Sequence, residues 1–193
     1  MLIPVGSEEE YRALKQLSSF GLGGIKDESL CHLERLQDYD IVALRPESDS
    51  VIWTLLGDET LRNQVDVISL DLSPNGASAQ VTLKRGLVEA IRKAGLFIEL
   101  DLGEYMRSLG DQRAEILARG AYILRWSGHG DGVILTSGAR NIMDVRSPTD
   151  FDNWGRACLE EGSHRSRRFI TTSEAAVRHG IWRKSESGII LVE

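Results

Sequence analysis

Cysteine is scarce in this 193-residue chain: Cys31 and Cys158 stand alone, with no CxxC or CxxxC spacing. That argues against a disulfide framework or a four-cysteine zinc site and points to a reducing, intracellular setting. No apolar run approaches the roughly 18 residues a membrane helix needs. The opening Met1 to Glu10 lacks a basic flank and a long apolar stretch, so neither a signal peptide nor a membrane association is expected. Positive charge is also short, since 23 Lys and Arg against 29 Asp and Glu leave a net charge of −6. A free-standing nucleic-acid binder usually carries the opposite balance.

Several catalytic signatures are missing as well. A barrel-type metal hydrolase would place a His-x-His pair at the end of an early strand. Here His32, His129, His164 and His179 are scattered singly. Gly21-Leu22-Gly23-Gly24 is neither a dinucleotide fingerprint nor a phosphate loop followed by Lys-Ser/Thr, and it follows a helical stretch, so it reads as a helix stop. There is no Gly-x-Ser-x-Gly elbow, and the adjacency of Cys31 and His32 is not enough to make a nucleophile pair. Two weaker constellations remain. His129 and Asp131 lie two apart in a glycine-rich loop, where they would bind a cation or a phosphate unless the loop simply turns the chain. Glu99 and Asp101 share one face of a strand, as an acid and base pair would, or else cap and pair at the strand end.

What the chain does have is a repeated alternation of short apolar runs with helical stretches, the pattern of an α/β fold with parallel strands. Strands are expected at Leu2 to Val5, Asp40 to Leu44, Val65 to Leu72, Leu96 to Leu102, Gly132 to Thr136 and Gly188 to Val192. Helices are expected over Glu8 to Leu17, near Asp49 to Leu56 (helix or turn), from Val81 to Ala94, and from Asp111 to Trp126. A further helix begins at Ser147-Pro148, and two shorter ones begin at Ser163 and at Thr172 or Ser173. Connections are short and no low-complexity linker appears, so residues 1–193 read as one domain of about six βα units. A complete eight-stranded barrel takes about 250 residues, which leaves a reduced or incomplete barrel or an open doubly wound sheet. Both place the functional site beyond the strand C-termini, in the loops after Leu72, Leu102 and Thr136.

Charge divides unevenly along the chain. Residues 1–137 hold 21 Asp or Glu against 14 Lys or Arg, whereas residues 138–185 hold nine Lys or Arg against six Asp or Glu. Any polyanion contact therefore belongs to the C-terminal third. Ile134 to Arg140, followed by Met143 to Pro148, sets the small residues Ser137 and Gly138 at a strand end, Arg140 and Arg146 shortly after, and a helix start beyond. Backbone N–H groups there would take phosphate oxygens and Arg146 would fork onto another, unless Arg146 is braced by Asp144 or Asp150. Arg165, Arg167, Arg168, Arg178, Arg183 and Lys184 form a second basic stretch, interrupted by Phe169 and Trp182. It is either a polyanion surface or an ordinary solvated face.

With these residues in view, the sequence resembles the barrel-forming protein subunit of archaeal and eukaryotic ribonuclease P, a family related in fold to the polymerase and histidinol phosphatase (PHP) metal hydrolases. Asp40 to Pro46 is similar to the family's YDIVAVxP strand, Val65 to Ser69 to its xDxIS strand, and Leu96 to Leu100 to its xxFEL strand. Ile134 to Pro148 is similar to ISSAAxxxxELRxP, with Ser137, Ala139 and Arg146 at matching positions. Thr171 to Gly180 resembles the STNPxxVLxHG helix, and Gly188 to Ile190 the closing strand. The resemblance spans roughly residues 38–193. Leu2 to Val5 would then be about the third strand, so the barrel is expected to be shortened at its N-terminus. Gly138, Asp144 and the acidic pI of 5.3 depart from the family pattern.

The resemblance implies a non-catalytic subunit of a ribonucleoprotein. In it the RNA removes the 5′ leader from precursor tRNA, while the protein braces that RNA and a small α/β partner subunit. It implies no catalytic residue, cofactor or metal in this chain, and it makes Ser137, Arg140, Arg146, Arg165, Arg167 and Arg168 the RNA or scaffold contacts. The compartment would be the cytoplasm of an archaeon or the nucleus and nucleolus of a eukaryote. The rival readings are a PHP-like metal-dependent phosphoesterase using Glu99, Asp101 and His129, and a protein scaffold that touches no RNA.

Overall fold

The computed structural model describes residues 39–128, 130–139, 141–159 and 167–185. Four strands are found there: β1 (Ala43–Leu44), β2 (Val67–Asp71), β3 (Phe97–Asp101) and β4 (Val133–Thr136). All pair in parallel, in the spatial order β1-β2-β3-β4. Seven helices accompany them: α1 (Asp49–Gly57), α2 (Glu59–Arg62), α3 (Arg85–Lys93), α4 (Gly103–Arg107), α5 (Gly110–Trp126), α6 (Pro148–Leu159) and α7 (Arg167–Lys184). The expected strands at residues 2–5 and 188–192, and the expected helices at residues 8–17 and from Ser163, lie outside the described residues.

Sequential order with no reversal decides part of the architecture. A doubly wound sheet changes direction at a switch point and so carries helices on both faces. Among the described strands no such point occurs and each strand adds on the same side of the last, as in an arc of a singly wound sheet, although α7 packs on the face opposite the other helices. The register sorts side chains accordingly. Leu44, Ile68, Leu70, Ile98, Leu100, Val133 and Leu135 face one way, into a core completed by Ile52 and Leu55 of α1, Leu87, Val88 and Ile91 of α3, and Ile116, Ile123 and Leu124 of α5. On α5 the spacing of Ile116, Gly120, Ile123 and Leu124 is that of one helical face. Gly120 is required because a Cβ there would run into the ring of Trp154 on α6.

The other face is layered. Near the strand N-termini Ala43, Val67, Phe97 and Ile134 pack against Ala176 of α7. Toward the C-termini the same face carries Ser69, Glu99, Asp101 and Thr136. Strand β3 shows both environments in one alternation, with Ile98 and Leu100 buried and Phe97, Glu99 and Asp101 half-buried.

Two helices differ from the sequence expectation. The stretch beginning at Val81 becomes helical only at Arg85, although Val81 and Leu83 are buried. The Asp49 carboxylate accepts the backbone N–H groups of Thr82 and Leu83 and the Thr82 hydroxyl, and Leu83 has φ +42. That side-chain clamp satisfies the backbone donors of Thr82 and Leu83 and keeps the segment out of the helix until Arg85. In place of a short helix starting at Thr172 or Ser173, α7 runs 18 residues through both. Its small residues Ala176 and Gly180 sit against the sheet and the Asp40 carbonyl, and that packing outweighs the local capping preference of Thr and Ser.

Candidate functional site

At the C-terminal ends of the strands, Arg45 reaches from the end of β1 across β2 to β3. Its guanidinium donates to the Ser69 hydroxyl at 3.0 Å and to the Asp101 carboxylate at 3.2 Å. The other Asp101 oxygen accepts the Gly103 N–H at 2.8 Å. Gly138, with φ +50, closes over this carboxylate, where a Cβ would overlap it. Glu99 and Asp101 do share one strand face, as expected, but Asp101 is held by Arg45 and by the start of α4. Among the described residues no three His, Cys, Asp or Glu side chains assemble as a metal-ligand set. His129 lies outside the described residues.

At the opposite end of the same face, α7 is fastened through Asp66. This carboxylate is fully buried and accepts the Arg183 Nε–H at 3.0 and 3.1 Å and the Val42 N–H at 2.8 Å. It also hydrogen-bonds His179 Nδ1 at 2.8 Å. Burial pushes its pKa up, but the bonds from His179, Arg183 and Val42 outweigh that and hold it below the ordinary 3.8. Arg183 also donates to the Tyr39 carbonyl at 2.8 Å, and Lys184 pairs with Asp40. The second basic stretch, read from sequence as either a polyanion surface or a solvated face, is in part neither. Arg183 turns inward, with its side chain 7% exposed, Lys184 ties down the chain before β1, and Arg178 pairs with Glu174 on its own helix. The periodicity of α7 gives no sign of this, because basic residues at helical spacing look the same whether they face water or a buried carboxylate.

The segment after β4 behaves differently. Ser137 is buried at the strand end. Asn141 caps a 3-10 turn (Ile142–Asp144) by accepting the Met143 N–H. Ser147 and Asp150 form a reciprocal box at the start of α6, in which the Asp150 carboxylate takes the Ser147 N–H and hydroxyl while the Ser147 oxygen takes the Asp150 N–H. Arg146 makes neither of the braces considered from sequence: it is exposed and has no hydrogen bond or ion pair among the described residues. It lines a groove of about 380 Å³ together with Tyr105 and Met106 of α4, Arg113 of α5, and Asp150, Asn153 and Trp154 of α6. The Arg113 guanidinium lies 4.5 Å above the Tyr105 ring. Ser137 and Arg146 thus occupy different places, one in the strand-end layer and one in the groove. Arg140 and Arg165 lie outside the described residues; Arg167 and Arg168 open α7, with their side chains outside the described set.

Against known families, residues 27–185 match the model described as RNase P subunit p30. The chain belongs to the RNase P subunit p30 family. It is also 25% identical over 118 residues to Protein GAMETOPHYTE DEFECTIVE 1 of Arabidopsis thaliana. That alignment takes in 61% of this chain but 19% of the plant protein, so the chain spans about a fifth of that relative's length. The p30 match takes in all four described strands, the Arg45 and Asp66 clusters and the groove around Arg146. No helix among the described residues is long and apolar enough to cross a membrane.

Proposed function

We propose that this chain is a non-catalytic, intracellular protein subunit of the ribonuclease P ribonucleoprotein, supporting removal of the 5′ leader from precursor tRNA by bracing the catalytic RNA and a partner protein. Membership of the p30 family carries this reading. The singly wound parallel order supports a single barrel-type domain of the PHP kind, and the Arg45–Asp101 pair occupies the place where a barrel enzyme would keep its reactive groups. Both oxygens of Asp101 are already engaged, one by a guanidinium and one by a backbone N–H, which disfavours the phosphoesterase reading.

Arg146, with Arg140, Arg165, Arg167 and Arg168, is assigned to contacts with the RNA or with neighbouring subunits, while Ser137, buried at the end of β4, is withdrawn from that set. Ile142, Met143 and Val145, which are 86%, 82% and 51% exposed, supply apolar surface next to Arg146 for the protein partner. Phosphate contacts would act by charge neutralisation, so assembly would weaken steeply with salt. The test is purification of the tagged chain from its native cell, with the eluate assayed for 5′ leader removal with and without nuclease pretreatment. Nuclease-sensitive cleavage is expected; an eluate with neither RNA nor cleavage overturns the proposal.

A further inference from the structure

The groove between α4, α5 and α6 has an unbalanced donor inventory. Arg113 is stacked on Tyr105 but donates to no acceptor among the described residues, and Arg146 has no partner there at all. The carboxylate lining the groove, Asp150, is taken up by the capping box of α6. Two guanidiniums that line one groove carry like charge with no carboxylate free to offset it. A ligand that complements this lining is negatively charged and rich in acceptors. At about 380 Å³ the groove is at the small end of ligand sites, suited to a single nucleotide unit and too small for a duplex.

We propose that this groove seats one nucleotide of a single RNA strand, its phosphate held between Arg113 and Arg146. The inference rests on the ribonucleoprotein reading above and adds to it a location and the single-stranded form of the RNA. The Arg113 guanidinium carbon sits 4.5 Å over the Tyr105 ring, and bases of unpaired RNA stack on aromatic and guanidinium planes. An acidic peptide would use the two charges but not the stacking face, so RNA is the favoured occupant.

The test measures anisotropy of a fluorescein-labelled oligouridylate of eight nucleotides with the full chain across a salt series. Arg113→Gln and Arg146→Gln are compared with Arg178→Gln, a change at an exposed arginine far along α7. The two groove variants are expected to bind about fivefold or more weakly, each lowering the salt slope by about 0.7. The α7 variant should bind like the parent, and polyglutamate at matched charge should fail to displace the RNA. All three positions are exposed, so thermal melts should stay within about 2 °C of the parent and report intact folding. Groove variants with parental affinity and slope overturn the proposal and place RNA contact elsewhere. Displacement by polyglutamate overturns it in favour of an acidic protein segment. Absence of binding by the parent also overturns it, while leader removal by the native eluate judges the subunit role independently.

Discussion

Replacing Asp66 by Asn tests how α7 is held on the sheet. The carboxylate is fully buried and meets three partners: Arg183, His179 and the Val42 N–H. Asn preserves the volume and one acceptor oxygen but removes the charge facing Arg183, whose side chain is itself 7% exposed. A buried cation deprived of its counter-ion costs about 3–5 kcal/mol. Arg183 retains the Tyr39 carbonyl as an acceptor, which favours the lower end, about 3 kcal/mol. Urea unfolding followed by tryptophan fluorescence measures it, with Trp182 on α7 and its ring 6.2 Å from that of His179 as a local reporter. The double variant Asp66→Leu, Arg183→Leu should be more stable than Asp66→Asn, because it removes both charges together. A loss below about 1 kcal/mol for Asp66→Asn, or a double variant worse than either single one, would refute the account of Asp66 as the anchor. The pH dependence has a definite sign. The folded pKa of Asp66 lies below its unfolded value, so its contribution is fully present above about pH 4 and is lost as pH falls through the lowered folded value.

Further outcomes follow from other contacts. Gly138→Ala should destabilise by more than about 1 kcal/mol in thermal melts, since φ is +50 and the added Cβ would displace the Asp101 carboxylate from Arg45. Arg119→Met should cost about 2 kcal/mol by urea unfolding, because that half-buried side chain donates to the carbonyls of Leu72, Ser73 and Ser78 and holds the loop after β2. Cys158 is buried and its thiol is pushed up to about 12, so in a Cys31→Ser background iodoacetamide at pH 8 should label it only after unfolding. Exchanging Ile142 and Met143 for Ser should leave the melting temperature unchanged, yet reduce recovery of partner protein in a pull-down of the native assembly.

The parallel strands were readable because burial on one or both faces makes short apolar runs, and Val65 to Leu72 and Leu96 to Leu102 enclose β2 and β3 as observed. Alternation within Phe97–Asp101 even separates the two faces. Boundaries failed where a single polar contact overrides periodicity, as when Asp49 holds Thr82 and Leu83 out of the helix that Val81 and Leu83 suggest. They failed again at α7, where Thr172 and Ser173 look like caps but lie inside a helix fixed by Ala176, Gly180 and the Asp66 cluster. Spatial strand order was beyond sequence, since a singly wound arc and a doubly wound sheet share the same βα alternation.

The site divides along the same physical line. For Arg146 only the alternatives were legible, a phosphate contact or a brace to Asp144 or Asp150, and the fold leaves it exposed and unbraced between a strand end and α6. Arg113 was not legible at all, because on α5 it has the spacing of a solvated helix residue, and only the fold places Tyr105 beneath it and Arg146 across the groove. Arg45 and Arg183 show the converse, cations that spacing would send outward and that the fold spends on Asp101 and Asp66. Counting basic residues therefore misjudges where an acidic chain can meet a polyanion. The relevant quantity is the set of guanidiniums left after internal carboxylates are matched, and among the described residues that set includes the pair lining the groove between α4, α5 and α6.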